Sequence, residues 1–219
     1  MRLLERLGIG IISSLIASLI AFVLISLFSE TVRRALTAVA STFLGIDVKY
    51  VFKNGRESQN SVQLSLKRSK TIKIFAGRGN EFQGSFYLPL LEANEKVKKD
   101  IKILLPDIYN QPRSMDWIAY REDELSKVDH AFGKGILKTQ IAATFGFLHK
   151  YLESKILDLR CYNYPHIGRI IITDDSVFFT PYSAVLHGRD SQVYQYVRGE
   201  MYDYYIRFFD MIWADSKPF

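Results

Sequence analysis

Gly77-Arg78-Gly79-Asn80 is the segment of this sequence best equipped to hold an anion. Its glycines let backbone amides come close to a charged group, and Arg78 adds a fixed positive charge. It follows an apolar run, Thr71 to Ala76, that reads as a strand. Ligands of α/β proteins sit beyond the carboxyl ends of such strands. Asp107, Arg113, Arg121, Arg169 and Tyr182 are further polar candidates by sequence position, and a nucleotide or other anionic group is the ligand class they fit. The spacing matches neither a Walker loop nor a dinucleotide fingerprint. Each arginine also reads as an exposed or salt-bridged side chain. The histidines outside this set say little: His130 stands beside Asp129, His149 follows Phe145 by four residues on a helix, and His187 precedes Gly188 in a loop. None has zinc-ligand spacing with a cysteine partner, so no metal and no cofactor is expected.

These residues need a scaffold, and the rhythm of the chain from Lys70 onward is that of an α/β domain. The strand Thr71 to Ala76 leads to a helix from about Phe86 to Lys99, and Ile101 to Leu105 forms a second strand stopped by Pro106-Asp107. Ser114 to Ile156 reads as mostly helical, broken near Gly133-Lys134-Gly135, and Leu157 to Tyr162 as a third strand. Arg169 to Thr173 and Val177 to Phe179 make a hairpin at Asp174-Asp175-Ser176, residues that turns prefer. Val193 to Val197 alternates once more, and Glu200 to Ala214 closes the chain as a helix rich in aromatics. The cluster Tyr202, Tyr204, Tyr205, Phe208, Phe209 and Trp213 has helical spacing, which favours core packing over base stacking. Upstream, Thr31 to Leu44 is mildly amphipathic with Gly45 as a stop, and Ile46 to Phe52 alternates as a half-buried strand before the turn signal Asn54-Gly55. Arg56 to Ser61 reads as a loop, and Val62, Leu64 and Leu66 as a further strand.

The N-terminus has a different character. Leu7 to Phe28 holds no charged residue, and 22 residues at about 1.5 Å each span roughly 33 Å, which matches a hydrocarbon core of about 30 Å. The run is longer than the apolar part of a signal peptide and lacks its small-residue cleavage site. It is expected to be an uncleaved single-pass anchor in the lipid bilayer. Arg33, Arg34, Lys49, Lys53 and Arg56 follow it, which places the main domain on the cytoplasmic side of an inner (plasma) membrane. The lone Cys161 agrees, since it has no internal disulfide partner. Gly10, Ser14 and Ser18 recur every four residues, with Ala17 and Ala21 near the same face, a pattern that lets membrane helices pair as a homodimer or higher homo-oligomer. The expected organisation is an anchor with its flanks (1–34), a juxtamembrane helix and strand region (35–69), and an α/β domain (70–219). Arg2, Arg6, Arg33 and Arg34 against Glu5 and Glu30 supply +2 of the net +6, leaving a modest +4 on the remainder. That balance suits an anionic membrane surface or a nucleotide, and equally a plain basic surface.

Over Lys70 to Trp213 the order of elements resembles one half of a phospholipase D-like domain. Ile103-Leu104-Leu105-Pro106-Asp107 resembles its second strand, Leu159-Arg160-Cys161-Tyr162 its third, and Phe208 to Trp213 its closing helix. The family's hallmark, H-x-K-x4-D, is resembled by the segment from His166 to Asp174. The resemblance implies a mixed sheet flanked by helices. It also implies a phosphodiesterase site in which a histidine attacks phosphorus and a lysine holds the phosphate oxygens. With Asp174 in the aspartate position, Arg169 replaces the lysine and Ile167 falls in the histidine position, His166 being one residue early. A one-residue shift in a strand turns a side chain to the other face, and a bulge across Pro165 to Gly168 restores it. Only one such segment exists, so catalysis requires a dimer.

Three functions follow from these residues. The first is a membrane-anchored, non-catalytic sensing or interaction module, by analogy a bacterial stress or phage-defence effector. The second is a dimeric membrane-bound phosphodiesterase, nuclease or phospholipase, using His166, Arg169 and Asp174. The third is a structural subunit of a membrane complex.

Overall fold

The structure, a computed structural model, describes residues 2–84, 87–110, 116–183 and 187–219, without side-chain detail for 2–10, 26–28, 30 and 42. The chain divides into two compact units, Met1–Tyr50 and Val51–Phe219.

The first unit is two helices. Helix α1 (Arg2–Phe28) ends where Ser29 turns extended, and the Ser29 hydroxyl accepts from the amide of Val32 at 3.4 Å to start α2 (Glu30–Leu44). Gly45 closes α2 in the left-handed conformation at φ 65°, the stop its position implied. Between Ile11 and Ile25 the large apolar side chains of α1 are exposed on every face. No helix among the described residues is long and apolar enough to cross a membrane; the stretch 7–28 runs past the described side chains at both ends.

The second unit is a mixed sheet flanked by helices, its first strand beginning in the last residues of the first unit. The strands are β1 (Val48–Phe52), β2 (Thr71–Phe75), β3 (Asp100–Pro106), β4 (Asp158–Tyr162), β5 (Gly168–Ile172), β6 (Ser176–Pro181), β7 (Val193–Val197) and β8 (Lys217–Pro218), in the order β1-β7-β6-β5-β2-β3-β4-β8. Strands β2, β3 and β4 run parallel, with Phe75 opposite Leu104 and Leu104 opposite Arg160. Strands β5, β6 and β7 form an antiparallel meander joined to β2. The crossovers are α4 (Leu88–Val97) between β2 and β3, and α5 (Trp117–Ser126) with α6 (Ile136–Glu153) between β3 and β4. Both step the same way across the sheet, so the right-handed rule puts these helices on one face. The other face is covered by α7 (Glu200–Asp215), whose Tyr202, Tyr205, Phe209 and Ile212 pack on Phe75, Leu104, Tyr162, Ile170 and Val177. The aromatic cluster is therefore largely core. This is the arrangement of strands and helices that the sequence pattern and the resemblance led one to expect.

One stretch differs. Residues 56–66 form neither loop nor strand but helix α3 (Gly55–Arg68). The supposed turn residue Asn54 is its cap, accepting from the amide of Glu57 at 3.1 Å while the Glu57 carboxylate takes the amide of Lys53 at 2.8 Å. Val62 and Leu66, four apart, are buried together and Leu64 points out, so a pattern legible at period two is in fact read at 3.6. Strand β8 also escaped notice: two residues are too short to show a period.

A single buried amide ties the crossover helices to the sheet. Asn94, 1% exposed, donates to the carbonyls of Lys99 (3.1 Å) and Ile156 (2.7 Å) and accepts from the amide of Lys99 (2.5 Å). Alanine there strands three backbone groups, and each unsatisfied group costs about 1–3 kcal/mol less any water that enters. Asn94→Ala is expected to lower stability by about 2 kcal/mol in urea denaturation, with an unchanged slope.

Candidate functional site

Beyond the carboxyl ends of the parallel strands lies a cavity of about 390 Å³. Its floor is the loop after β2. Gly77 donates its amide to the Tyr182 hydroxyl at 3.1 Å, and a Cβ at Gly77 would stand 2.7 Å from the Tyr182 ring. Gly79, at φ 74°, opens the 3-10 turn Asn80–Gln83, and a Cβ there would meet Leu105 and Thr144 side chains at 2.9 Å. Both positions are held to glycine, the first by close approach and the second by its backbone as well.

That loop fixes Arg78 in the cavity wall. Its Nε donates to Asn80 Oδ1 and its Nη1 to Gln140 Oε1, both at 3.0 Å, and the guanidinium lies 5.7 Å from the centre of the Phe132 ring. Burial lowers its pKa, opposed by the charge of Glu81. Opposite, Arg121 projects from α5, donating to Glu124 (2.9 Å) and the carbonyl of Ser183 (2.8 Å) with its guanidinium over Tyr182 at 5.1 Å. Tyr182 is itself held above its ordinary pKa, chiefly by burial. Arg78, Asn80, Arg121 and Tyr182 thus come together, as their sequence positions suggested.

His166 joins them. The amide of Ile167 bonds the carbonyl of Pro165 at 2.9 Å, a three-residue turn centred on His166. This turn, not a bulge, swings the imidazole into the cavity and leaves the Ile167 side chain 42% exposed. Strand β5 begins only at Gly168, where a Cβ would sit 2.6 Å from the Phe179 ring and the Thr180 carbonyl. The expectation that register removes the histidine from the site is therefore not met. Neither ring nitrogen of His166 has a hydrogen-bond partner among the described residues, and both are shielded from solvent. Burial first, then the charge of Arg121, pushes its pKa down to about 4. The ring is neutral at pH 7.

The other two motif residues do not join it as a catalytic set. Arg169 turns to Glu81, with Nη1 2.6 Å from Oε1, and its side chain is 12% exposed. Its guanidinium is neutralised by a carboxylate of the cavity wall. Asp174 lies at the hairpin end of β5, which is the starting end of β2 because the two are antiparallel. Its carboxylate there accepts from the amides of Lys70 (2.7 Å) and Thr71 (3.0 Å), a structural clasp. Asp107 is not in the cavity wall either: it caps the turn after β3, taking the amides of Tyr109 and Asn110 at 2.9 Å. Arg113 falls outside the described residues.

The far wall holds residues that sequence reasoning passed over. His187 Nε2 lies 2.9 Å from Asp129 Oδ2, and its ring sits tilted 5.6 Å from Phe132. Nothing local links Asp129 to His187, so their partnership had no signal in the sequence. Among the described residues no group of acidic, histidine or cysteine side chains has the makings of a metal site.

No family model and no curated protein matches the sequence. Solved structures do match. TrmBL2, an archaeal chromatin protein described as showing a novel mode of DNA binding, superposes on 98% of this chain with a TM-score of 0.50 and 14% identity. The match takes in 66% of that protein, so the chain spans just under two thirds of its length. Nuc, a phospholipase D family member from Salmonella typhimurium, aligns over 78% of this chain and 96% of its own (TM-score 0.49, 13% identity). NucT from Helicobacter pylori aligns over 75% and 92% (TM-score 0.47, 11% identity). The match to TrmBL2 shows a shared fold.

Proposed function

We propose that this chain is a membrane-tethered, non-catalytic phospholipase D-like module that binds a phosphate-bearing anion in the cavity between Arg78, Arg121 and His166. The cavity's charge carries the reading. Arg78, Arg121 and Arg189 line it. Arg121 is paired with Glu124 and Arg189 with Asp190, and the lining carboxylates of Glu81 and Asp129 are engaged by Arg169 and His187. Among the described lining arginines, Arg78 is the one bonded to neutral side chains, Asn80 and Gln140. A guanidinium held in a partly dehydrated wall attracts an anion more strongly than one in bulk water. The non-catalytic reading is supported by the partners of Arg169 and Asp174, one neutralised and the other at the opposite end of the sheet. Tethering is supported by the uncharged run 7–28 and by a helix apolar all round, a pattern suited to a protein core or a bilayer. The small-residue stripe Gly10, Ser14, Ser18 supports self-association, and the basic residues after the helix support a cytoplasmic domain at the inner membrane. A sensing role in stress or phage defence is the analogy we attach to that architecture.

One observation favours a second reading: His166 is neutral, unpartnered and faces the cavity, as a phosphodiesterase nucleophile must. The two are separated with the detergent-purified full chain. Inorganic phosphate is expected to raise its melting temperature without hydrolysis of bis(p-nitrophenyl) phosphate. Arg78→Gln removes a charge-assisted contact worth about 1.5–3 kcal/mol, so phosphate affinity should fall at least tenfold. Hydrolysis abolished in His166→Ala establishes the enzyme instead.

A further inference from the structure

The contacts inside the cavity divide its wall into two chemically different ends. One end is polar: Gly77 is bonded to Tyr182, Arg121 lies over the Tyr182 ring, and His166 is close enough to Arg121 to feel its charge. Here sit a buried cation and an imidazole whose ring nitrogens both lack hydrogen-bond partners among the described residues. The other end presents Phe132, Leu125, Leu137 and His187, the last paired with the Asp129 carboxylate, with the Gln140 amide at the edge. Arg78 joins the two, bonded to Gln140 and lying over Phe132 while close enough to Arg121 to feel its charge.

A free phosphate or sulfate uses only the first end. The second end is a stacking platform: an imidazole, a phenyl ring and a guanidinium plane gathered within one wall, surfaces on which heteroaromatic bases stack. At about 390 Å³ the space is near the lower end of small-molecule sites, about 300–1,000 Å³, enough for one nucleotide and too little for two.

We infer that the occupant is a nucleoside monophosphate or the terminal nucleotide of a longer chain. Its phosphate lies at Arg121, Arg78 and His166, and its base against Phe132 and His187 with the Gln140 amide at its edge. The inference rests on the anion-binding reading and adds the ligand's other half. A neutral His166 both accepts a hydrogen bond from a ribose hydroxyl and donates one to a phosphate oxygen, which gives its unpartnered nitrogens a use.

The test is calorimetric titration of the detergent-purified full chain with inorganic phosphate, ribose 5-phosphate, adenosine and the four nucleoside 5′-monophosphates. The best monophosphate is expected to bind at least tenfold tighter than ribose 5-phosphate, with adenosine weaker than either. Phe132→Leu, which keeps an apolar filling and leaves the His187–Asp129 pair in place, is expected to erase most of that tenfold while leaving ribose 5-phosphate within twofold of its original affinity. His187→Gln, whose amide can still donate to Asp129, is expected to act in the same direction if the phenylalanine variant is unstable. Equal affinity for monophosphate and ribose 5-phosphate overturns the nucleotide inference and leaves the anion site standing. Failure of inorganic phosphate and every phosphate ester to bind overturns both.

Discussion

Replacing Glu81 by alanine is expected to destabilise the second unit by about 3 kcal/mol, the lower end of the cost of breaking a buried ion pair. The reason is the partner left behind. The Arg169 side chain is 12% exposed and rises from β5 against Thr180, whose hydroxyl is a distant 3.4 Å from Nη2, and its Nε has no partner among the described residues. Burial disfavours the charged guanidinium, and Glu81 offsets that penalty and holds the pKa of Arg169 above its ordinary value. Without Glu81 the charge stays, since arginine does not give up its proton, and the desolvation is uncompensated. The carboxylate is 38% exposed, so water can partly replace it, which is why the larger values in the usual range are not expected. The pair Glu81→Leu with Arg169→Met should recover most of the loss, because removing both charges removes the desolvation cost as well. Urea denaturation of the two single variants and the double variant gives the coupling energy. A Glu81→Ala loss below about 1 kcal/mol means the pair is solvated, and Arg169 is then available to a ligand after all.

That ion pair marks where the sequence stopped being informative. The strands of the α/β core were legible because each is a short apolar run closed by its own punctuation: Gly77 after β2, Pro106-Asp107 at the end of β3, Asp174-Asp175 between β5 and β6. The helix α7 was legible from the helical spacing of its aromatic cluster, of which Tyr202, Tyr205 and Phe209 are buried. Arg78 and Asn80 were placed by a topological rule about strand ends, Arg121 and Tyr182 were candidates by sequence position, and the cavity gathers the four. What failed did so for physical reasons. Val62, Leu64 and Leu66 satisfy a strand period and leave a helical pair at Val62 and Leu66, and only packing chooses between them. The direction of His166 depends on a single hydrogen bond between Pro165 and Ile167, a turn that shifts one side chain by the half-period that register arithmetic treats as fixed. Glu81 with Arg169, and Asp129 with His187, are partners brought together by the fold from distant positions, and no local pattern announces them.

The depressed basicity of His166 carries its own expected result: the protein should lose about 3 kcal/mol of stability between pH 6.5 and pH 4 through this one residue. In the unfolded chain the imidazole titrates near 6.5, whereas in the folded protein it titrates at about 4. Between those values the unfolded state binds a proton that the folded state refuses, so falling pH favours unfolding. The contribution is fully present above about pH 6.5 and gone below about pH 4. A drop from 6.5 to about 4, at about 1.4 kcal/mol per tenfold change in proton affinity, sets the size of roughly 3 kcal/mol. The shielding of both ring nitrogens and the nearby charge of Arg121 oppose protonation, and Asp116 pulls weakly the other way. Carboxylates in general begin to titrate at the lower edge of this window, and Asp129 below it because the amide of Ala131 lowers its pKa, so the wild-type curve alone does not isolate the effect. The comparison that does is wild type against His166→Gln, measured by urea denaturation from pH 7.5 to pH 4. The variant lacks the titrating group and should lose about 3 kcal/mol less across that span, with the carboxylate contribution common to both curves. Parallel curves would mean that the imidazole is hydrated in solution and accepts a proton freely. A phosphate ester lying against Arg121 should reduce the contrast, because its negative charge favours the imidazolium and raises the pKa of His166 toward its ordinary value. The wild-type curve measured in saturating phosphate ester should then flatten toward that of the variant.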